Sequence, residues 1–429
     1  MAQAAILERI HRDFEAAAAD LPASVIDPAD RRRAADELAR LGWPSGRDEQ
    51  WRYANLRQFE RVGQFGSRPI SSVAAAASDA ANAQLPRALP GFERWVFIDG
   101  IRFQGLAAPA PAISTPTAGT ATAGAVWGPE QRLGLLSEMF GRDAAVIDVG
   151  RDARIEVLFL TSKDAAGAAV YPRLQVRVRD GAHLQLVERH LGDPAQSTLV
   201  NATIRVDVAA GSQLSHYRLQ QNGAQILFGD TLGAEVAADA TYRVRQVAVG
   251  SVAARTSAKV QLSGRAAALD WQAIAAGRAE QVLDMSLRVD HLAPGTRTQE
   301  VFRGIADEHA RLAFNAHVHI SAQSPGSEAR QSLRGLIEGA RAEVDLRPRL
   351  EIYTDDVRAQ HGATTGQLDE NLLFYLLARG LDAPTARALL KWAFLGDVLR
   401  AIDLPDLRTA AEQAAAHQLP DVMASGALT

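Results

Sequence analysis

A chain of 429 residues, 47% of them apolar, has material for two or three folding units with a sizeable core. Its net charge of −4 supplies no positive field for nucleic acid or an anionic membrane surface. It contains no cysteine, which excludes disulfides and thiolate metal ligation.

Residues 1–30 carry Glu8, Arg9, Arg12 and Asp13 where a signal peptide needs an unbroken apolar run. No stretch of about 18 apolar residues predicts a membrane span. The expectation is a soluble, cytoplasmic protein. Residues 2–20 and 28–41 predict helices, the second started by Asp27-Pro28 and stopped by Gly42-Trp43-Pro44. The run 46–59, GRDEQWRYANLRQF, predicts a helix with Trp51, Tyr53 and Leu56 packed inward. Segments 71–83 and 106–124 are low in complexity, and the second reads as an exposed loop or linker. Between them, 95–103 predicts a hairpin turned at Asp99-Gly100.

From about Arg154 the pattern becomes alternating strands broken by turns. The turns at Gly181, Gly211, Asp239 and Gly264 recur every 25–30 residues or so, a spacing that suggests a solenoid. A β-sandwich is the competing architecture, because alternation alone fits both. After His361 the chain returns to helix. Asp369 and Glu370 start 367–379, Gly380 stops it, and Pro384 opens a second helix through about Ile402.

Chemistry-bearing motifs are sparse. There is no P-loop, GxSxG or HExxH, and no dinucleotide fingerprint follows a strand. His317 and His319 share one face of a strand, a spacing compatible with a metal, although a solvated or hydrogen-bonded pair on the solenoid wall explains it better. Asp355 and Asp356 are neighbours, so on a strand they would point apart, and a backbone-capping role is expected. His291, in VDHLAP, is assigned no chemistry. On residues alone, His361 reads as a turn histidine.

The stretch 350–380, LEIYTDDVRAQHGATTGQLDENLLFYLLARG, resembles a signature of the SufB/SufD family, scaffold proteins of SUF iron–sulfur cluster assembly. The run 46–59 resembles an N-terminal motif of the same family. The family's usual cysteine, serine and histidine positions are here Ala359, Gln360 and His361. The resemblance implies a mainly β protein, a right-handed parallel β-helix flanked by helical regions. The expected division is 1–60 helical, 61–150 mixed, 151–360 β-helix and 361–429 helical.

It further implies a non-enzymatic scaffold subunit that pairs with a SufB-like subunit. A SufC-like ABC ATPase would dock on the C-terminal helix through Leu389, Leu390, Trp392, Ala393, Phe394 and Val398. His361 would lie at the subunit contact as a transient iron ligand or proton carrier, shared with the partner. No cofactor is expected to stay on the isolated chain. An iron–sulfur cluster would form only transiently at the interface, and the lone chain could pair with itself. Modest length, the absence of cysteine, and a tail after Leu404 without a glutamate-rich segment favour the SufD branch. The alternatives are a SufB-like subunit that holds the cluster itself and a β-helix enzyme acting on polysaccharide or acyl groups. The first lacks thiolates, and the second lacks a groove of clustered acids or a hexapeptide repeat.

Overall fold

The computed structural model describes residues 2–52, 54, 56–60, 85–103, 113–114, 128–192 and 197–425. The chain opens with α1 (Ala2–Ala17), a single 3-10 turn (Ala18–Asp20) and α2 (Pro28–Leu41). Asp27 caps α2 by accepting from the Ala29 N–H at 2.7 Å. The helix expected over 46–59 is instead a one-turn helix, Glu49–Trp51, followed by α3 (Leu56–Phe59). Asp48 is the local reason. Its carboxylate accepts from the N–H and Oγ of Ser45 and pairs with Arg132 at 3.1 Å, which fixes a turn. Trp51 is buried as expected; Tyr53 and the side chain of Leu56 lie outside the described residues. So do segment 71–83 and most of 106–124.

The predicted hairpin is β1 (Glu93–Ile98) and β2 (Ile101–Arg102). Asp99 and Gly100 both adopt positive φ, the geometry a two-residue hairpin turn needs. Residues Ile113–Ser114 form β3, a strand inside the expected linker, paired antiparallel with a later strand. Helix α4 (Gly134–Phe140) and strands β4 (Ala145–Val149), β5 (Ala153–Thr161), β6 (Ala169–Val170) and β7 (Arg173–Val178) follow.

Then comes a run of strands of ten or eleven residues. They are β8 (His183–Gly192), β9 (Leu199–Val208), β10 (Gln213–Asn222), β11 (Leu227–Val236), β12 (Thr241–Gly250), β13 (Ala253–Leu262) and β14 (Ala268–Gly277). The rest are β15 (Val282–His291), β16 (Arg297–Ala306), β17 (Arg311–Ile320), β18 (Ser327–Ile337), β19 (Glu343–Ile352) and β20 (Val357–Gly366).

Each long strand pairs with the next but one in sequence, in parallel, which makes a solenoid of about eight turns and rules out the sandwich. Sheet 1 runs β2-β1-β5-β8-β10-β12-β14-β16-β18-β20. Sheet 2 runs β19-β17-β15-β13-β11-β9-β7-β4-β3. The ladders thus span Glu93 to Gly366. Entry into successive sheet 1 strands passes through a positive-φ residue at Gly181, Gly211, Asp239, Ala266, Gly295 and Gly326. At the fourth of these turns Ala266, not Gly264, takes the left-handed backbone. Gly264 serves close approach instead, since a Cβ there would sit 1.9 Å from the Ala238 nitrogen.

Inward residues at period two fill the lumen with Val, Leu, Ile, Ala and Phe. A second cluster joins α1, α2 and α4 to the outer face of sheet 2 through Phe14, Trp51, Phe140 and Leu227. The C-terminal helices are α5 (Glu370–Ala378), α6 (Ala383–Arg400), α7 (Pro405–His417) and α8 (Pro420–Ser425). Of these, α6–α8 cover the outer face of sheet 1, where Leu395, Val398, Leu399 and Leu407 meet Val187, Tyr217, Leu219 and Ile274. Each such fully buried leucine contributes about 1.5–3 kcal/mol. Lys391 ties the layers together, with Nζ 3.0 Å from Glu338 and 2.8 Å from Asp421.

Candidate functional site: the open end of the solenoid

The last strand, β20, pairs only on one side. Its ten residues match β18 from Ser327↔Val357 to Leu336↔Gly366, and no strand among the described residues pairs with the other edge. Residues 358–366 are all exposed. A long strand edge offers a row of unmatched backbone donors and acceptors, a template for pairing with another chain.

Register places His361 at the middle of this edge. It stacks on Gln331, which stacks on Glu300, which stacks on Trp271. Residues matched in a parallel ladder share a face, so all four belong to the column that looks into the lumen. His361 is therefore a strand residue at the lumen mouth, not the turn histidine that residues alone suggest. Ala359, two residues earlier, shares that face. Across the mouth stand the partly buried Leu346 and Leu350 of β19. Residue 359 is an alanine, so this face of the strand offers no thiolate beside His361.

Below the rim the column is buried. Gln331 Nε2 donates to Glu300 Oε2 at 3.0 Å and to the Ala316 carbonyl at 3.2 Å. Burial pushes the Glu300 carboxyl up to about 8, against which the Gln331 bond acts weakly. Deeper still, Glu188 accepts from Arg218 in two bonds of 3.0 Å and lies 2.6 Å from His190 and 2.9 Å from His216. Arg218 also reaches Asp230 at 3.0 Å. Burial raises the Glu188 carboxyl, but Arg218 and the two histidines outweigh it and hold it well below the ordinary range. Sequence reading missed both clusters, since pairs about 30 residues apart meet only through the coil repeat.

After β20 comes α5, capped by Asp369, whose Oδ1 accepts from Asn371 and Leu372. None of its residues is buried. Leu372, Phe374, Tyr375 and Leu377 are 53%, 72%, 55% and 39% exposed, on a helix whose composition suits a core. It spans a cavity of about 360 Å³ bordered by Ile337, Leu368 and Arg387.

The residues nominated on α6 divide. Val398 is buried in its own chain beside Leu395 and Leu399. Leu390, Trp392 and Phe394 are half-buried against the same cluster, Leu389 is half-buried, and Ala393 is exposed. His317 lies 3.3 Å from Glu351 and His319 3.7 Å from Asp290 on the outer face of sheet 2. Among the described residues no group of three or more His, Asp or Glu side chains is placed to hold a metal ion. His291 is buried between Thr296 and Thr298, and burial pushes its imidazole down to about 4. Asp355 and Asp356 sit in the turn before β20, not on a strand, and the Asp356 carbonyl accepts from Gly326 at 2.7 Å.

Residues 159–394, which carry most of the solenoid and its open end, match the family described as SUF system FeS cluster assembly, SufBD core domain. The chain belongs to the SufBD family. It is 28% identical over 403 residues to an iron-sulfur cluster assembly SufBD family protein of Synechocystis, covering 88% of each chain. It is 26% identical over 386 residues to the iron-sulfur cluster assembly protein SufD of Escherichia coli, covering 85% of this chain and 87% of that one. A SufBD family protein of Mycobacterium leprae is 28% identical over 293 residues. Its 350–380 stretch carries His361 and no cysteine. No helix among the described residues is long and apolar enough to cross a membrane.

Proposed function

We propose that this chain is a SufD-like, non-enzymatic scaffold subunit of a cytoplasmic iron–sulfur cluster assembly complex. It pairs with a SufB-like subunit through the open end of its solenoid. The observation that carries this reading is the exposed edge of β20 with His361 at its centre, followed in the chain by the unburied apolar helix α5. Strand addition to such an edge gives affinity through the backbone, and apolar anchors beside it give specificity. A SufC-like ABC ATPase docks on the outward side of α6, around Ala393 and the exposed parts of Leu389, Trp392 and Phe394. Val398 supports that helix from below.

With no thiolate of its own, the chain shares a nascent cluster with its partner and contributes one neutral imidazole, from His361. His361→Ala is expected to leave melting and complex assembly unchanged and to slow cluster formation by the whole complex. Assembly at the parental rate, followed by iron and sulfide content, would reduce His361 to a bystander.

The pairing surface has its own test. Phe374→Glu changes a side chain that is 72% exposed, so stability should move by no more than about 0.5 kcal/mol. A buried charge at the contact should nevertheless abolish co-purification with the SufB-like subunit. Normal recovery of the partner would remove α5 from the interface.

A further inference from the structure

The outer face of sheet 1 carries a second concave site, bordered on one side by the β20 strand of the proposed pairing edge. Cross-strand register lays it out as three columns over β16, β18 and β20. Val301, Ser332 and Gly362 form the middle column. Gln299, Arg330 and Gln360 flank it on one side, and Arg303, Arg334 and Thr364 on the other. The middle column is short, and a Cβ on Gly362 would meet nothing within 4 Å. The flanking side chains are mostly long. Together they wall a trough of about 370 Å³, whose lining includes Arg330, Arg334, Gln299, Gln360 and Thr364.

Glu300 also borders the trough, but its side chain faces the lumen and accepts from Gln331, which leaves the exposed cations of the outer face without a counter-charge. Arg330 and Arg334 are exposed, and neither has a hydrogen-bond or ion-pair partner among the described residues. Arg303 is anchored, donating to the carbonyls of Phe302 at 2.8 Å and Ser332 at 3.0 Å. Burial, and then the charge of Arg334, hold the Arg303 guanidinium below its ordinary range, with Asp397 opposing. Nearby acids are already engaged: Asp397 with Arg400, Glu338 with Lys391, Glu328 with Arg358. Guanidinium forks match the geometry of carboxylate and phosphate oxygens, and the hydroxyl and amide groups of the lining add neutral donors.

We propose that this trough is an oxyanion-binding site for a small molecule bearing two or more carboxylate or phosphate groups, with Arg330 and Arg334 as its principal ligands. The two arginines are four residues apart on one strand, about 13 Å between Cα atoms, which suits a ligand with charge at both ends. The volume falls within the range of about 300–1,000 Å³ usual for small-molecule sites. The trough runs across the strands, so an extended acidic segment paired along β20 would cross it and not fill it.

The test uses the full chain alone, titrated calorimetrically with citrate, pyrophosphate and inorganic phosphate at fixed ionic strength. Citrate or pyrophosphate is expected to saturate one site per chain, and which one does so tells a carboxylate ligand from a phosphate ligand. Arg330→Ala and Arg334→Ala should each weaken that binding by about tenfold or more. Arg358→Ala, which removes an exposed guanidinium already paired with Glu328, should change it by less than about twofold. Gly362→Leu should block binding by filling the floor while keeping every charge. Absence of saturable binding by citrate and pyrophosphate overturns the proposal. So does binding that survives both arginine substitutions, or that ignores the leucine at 362.

Discussion

Glu300→Gln is expected to stabilise the protein at pH 9 by on the order of 3–5 kcal/mol, and by less than about 1 kcal/mol at pH 5. Glu300 faces the lumen between Trp271 and Gln331, and no charged group among the described residues opposes or supports it. Its Oε1 has no hydrogen-bond partner, so its only relief is the single bond from Gln331. The sign follows from proton binding. The unfolded carboxyl loses its proton near 4.5, while the folded one keeps it until about 8. Between those values the unfolded state binds fewer protons, so stability falls as pH rises, and it levels off above the folded value. Glutamine has nothing to ionise and escapes the loss. Urea unfolding of both chains at pH 5 and pH 9 reads the difference. Equal displacement at the two pH values would mean that Glu300 is already ionised at pH 5.

Removing Arg218 has the opposite sign. Arg218→Ala is expected to cost about 3–5 kcal/mol at pH 7, because Glu188 and Asp230 are left as buried charges without their cation. The damage should shrink toward pH 4, where the orphaned carboxyls can protonate. In the parent protein Glu188 titrates well below the ordinary range. Its contribution is therefore present above about 4.5 and is lost only as pH falls through its folded value. Adding Glu188→Gln to Arg218→Ala should restore part of the loss, since one stranded charge leaves with it. A single substitution that costs under about 1 kcal/mol would show that water reaches the lumen and solvates the acids.

The solenoid was legible because its signals are local. Alternation within about ten residues and a turn every 25–30 or so can be read from one strand at a time, and Gly181, Gly211 and Asp239 mark turns in the structure. The site was only half legible. His361 stood out by its motif, yet its place on an open edge depends on register with Gln331 and Glu300, residues about 30 and 60 positions away. Register is a property of the whole coil, and no local pattern encodes it. Helix α5 shows a different limit. Leu372, Phe374 and Leu377 are apolar yet exposed, and composition cannot say whether their own chain or another covers them. On α6 the structure assigns Leu395, Val398 and Leu399 to the chain's own core and leaves Ala393 exposed. The helix expected at 46–59 failed because a side chain, Asp48, competes for backbone donors that periodicity ignores.

The two ends of the solenoid are not equivalent. At the start, β2 and β3 fold back antiparallel across β1 and β4. At the finish, no strand among the described residues lies beyond β20. A rod with two bare ends could add subunits head to tail without limit, as filaments do. A rod with one bare end can only meet another bare end, after which no site for growth remains. Assembly through this edge is therefore expected to stop at two solenoids, so that a long adhesive strand carries little risk of polymer.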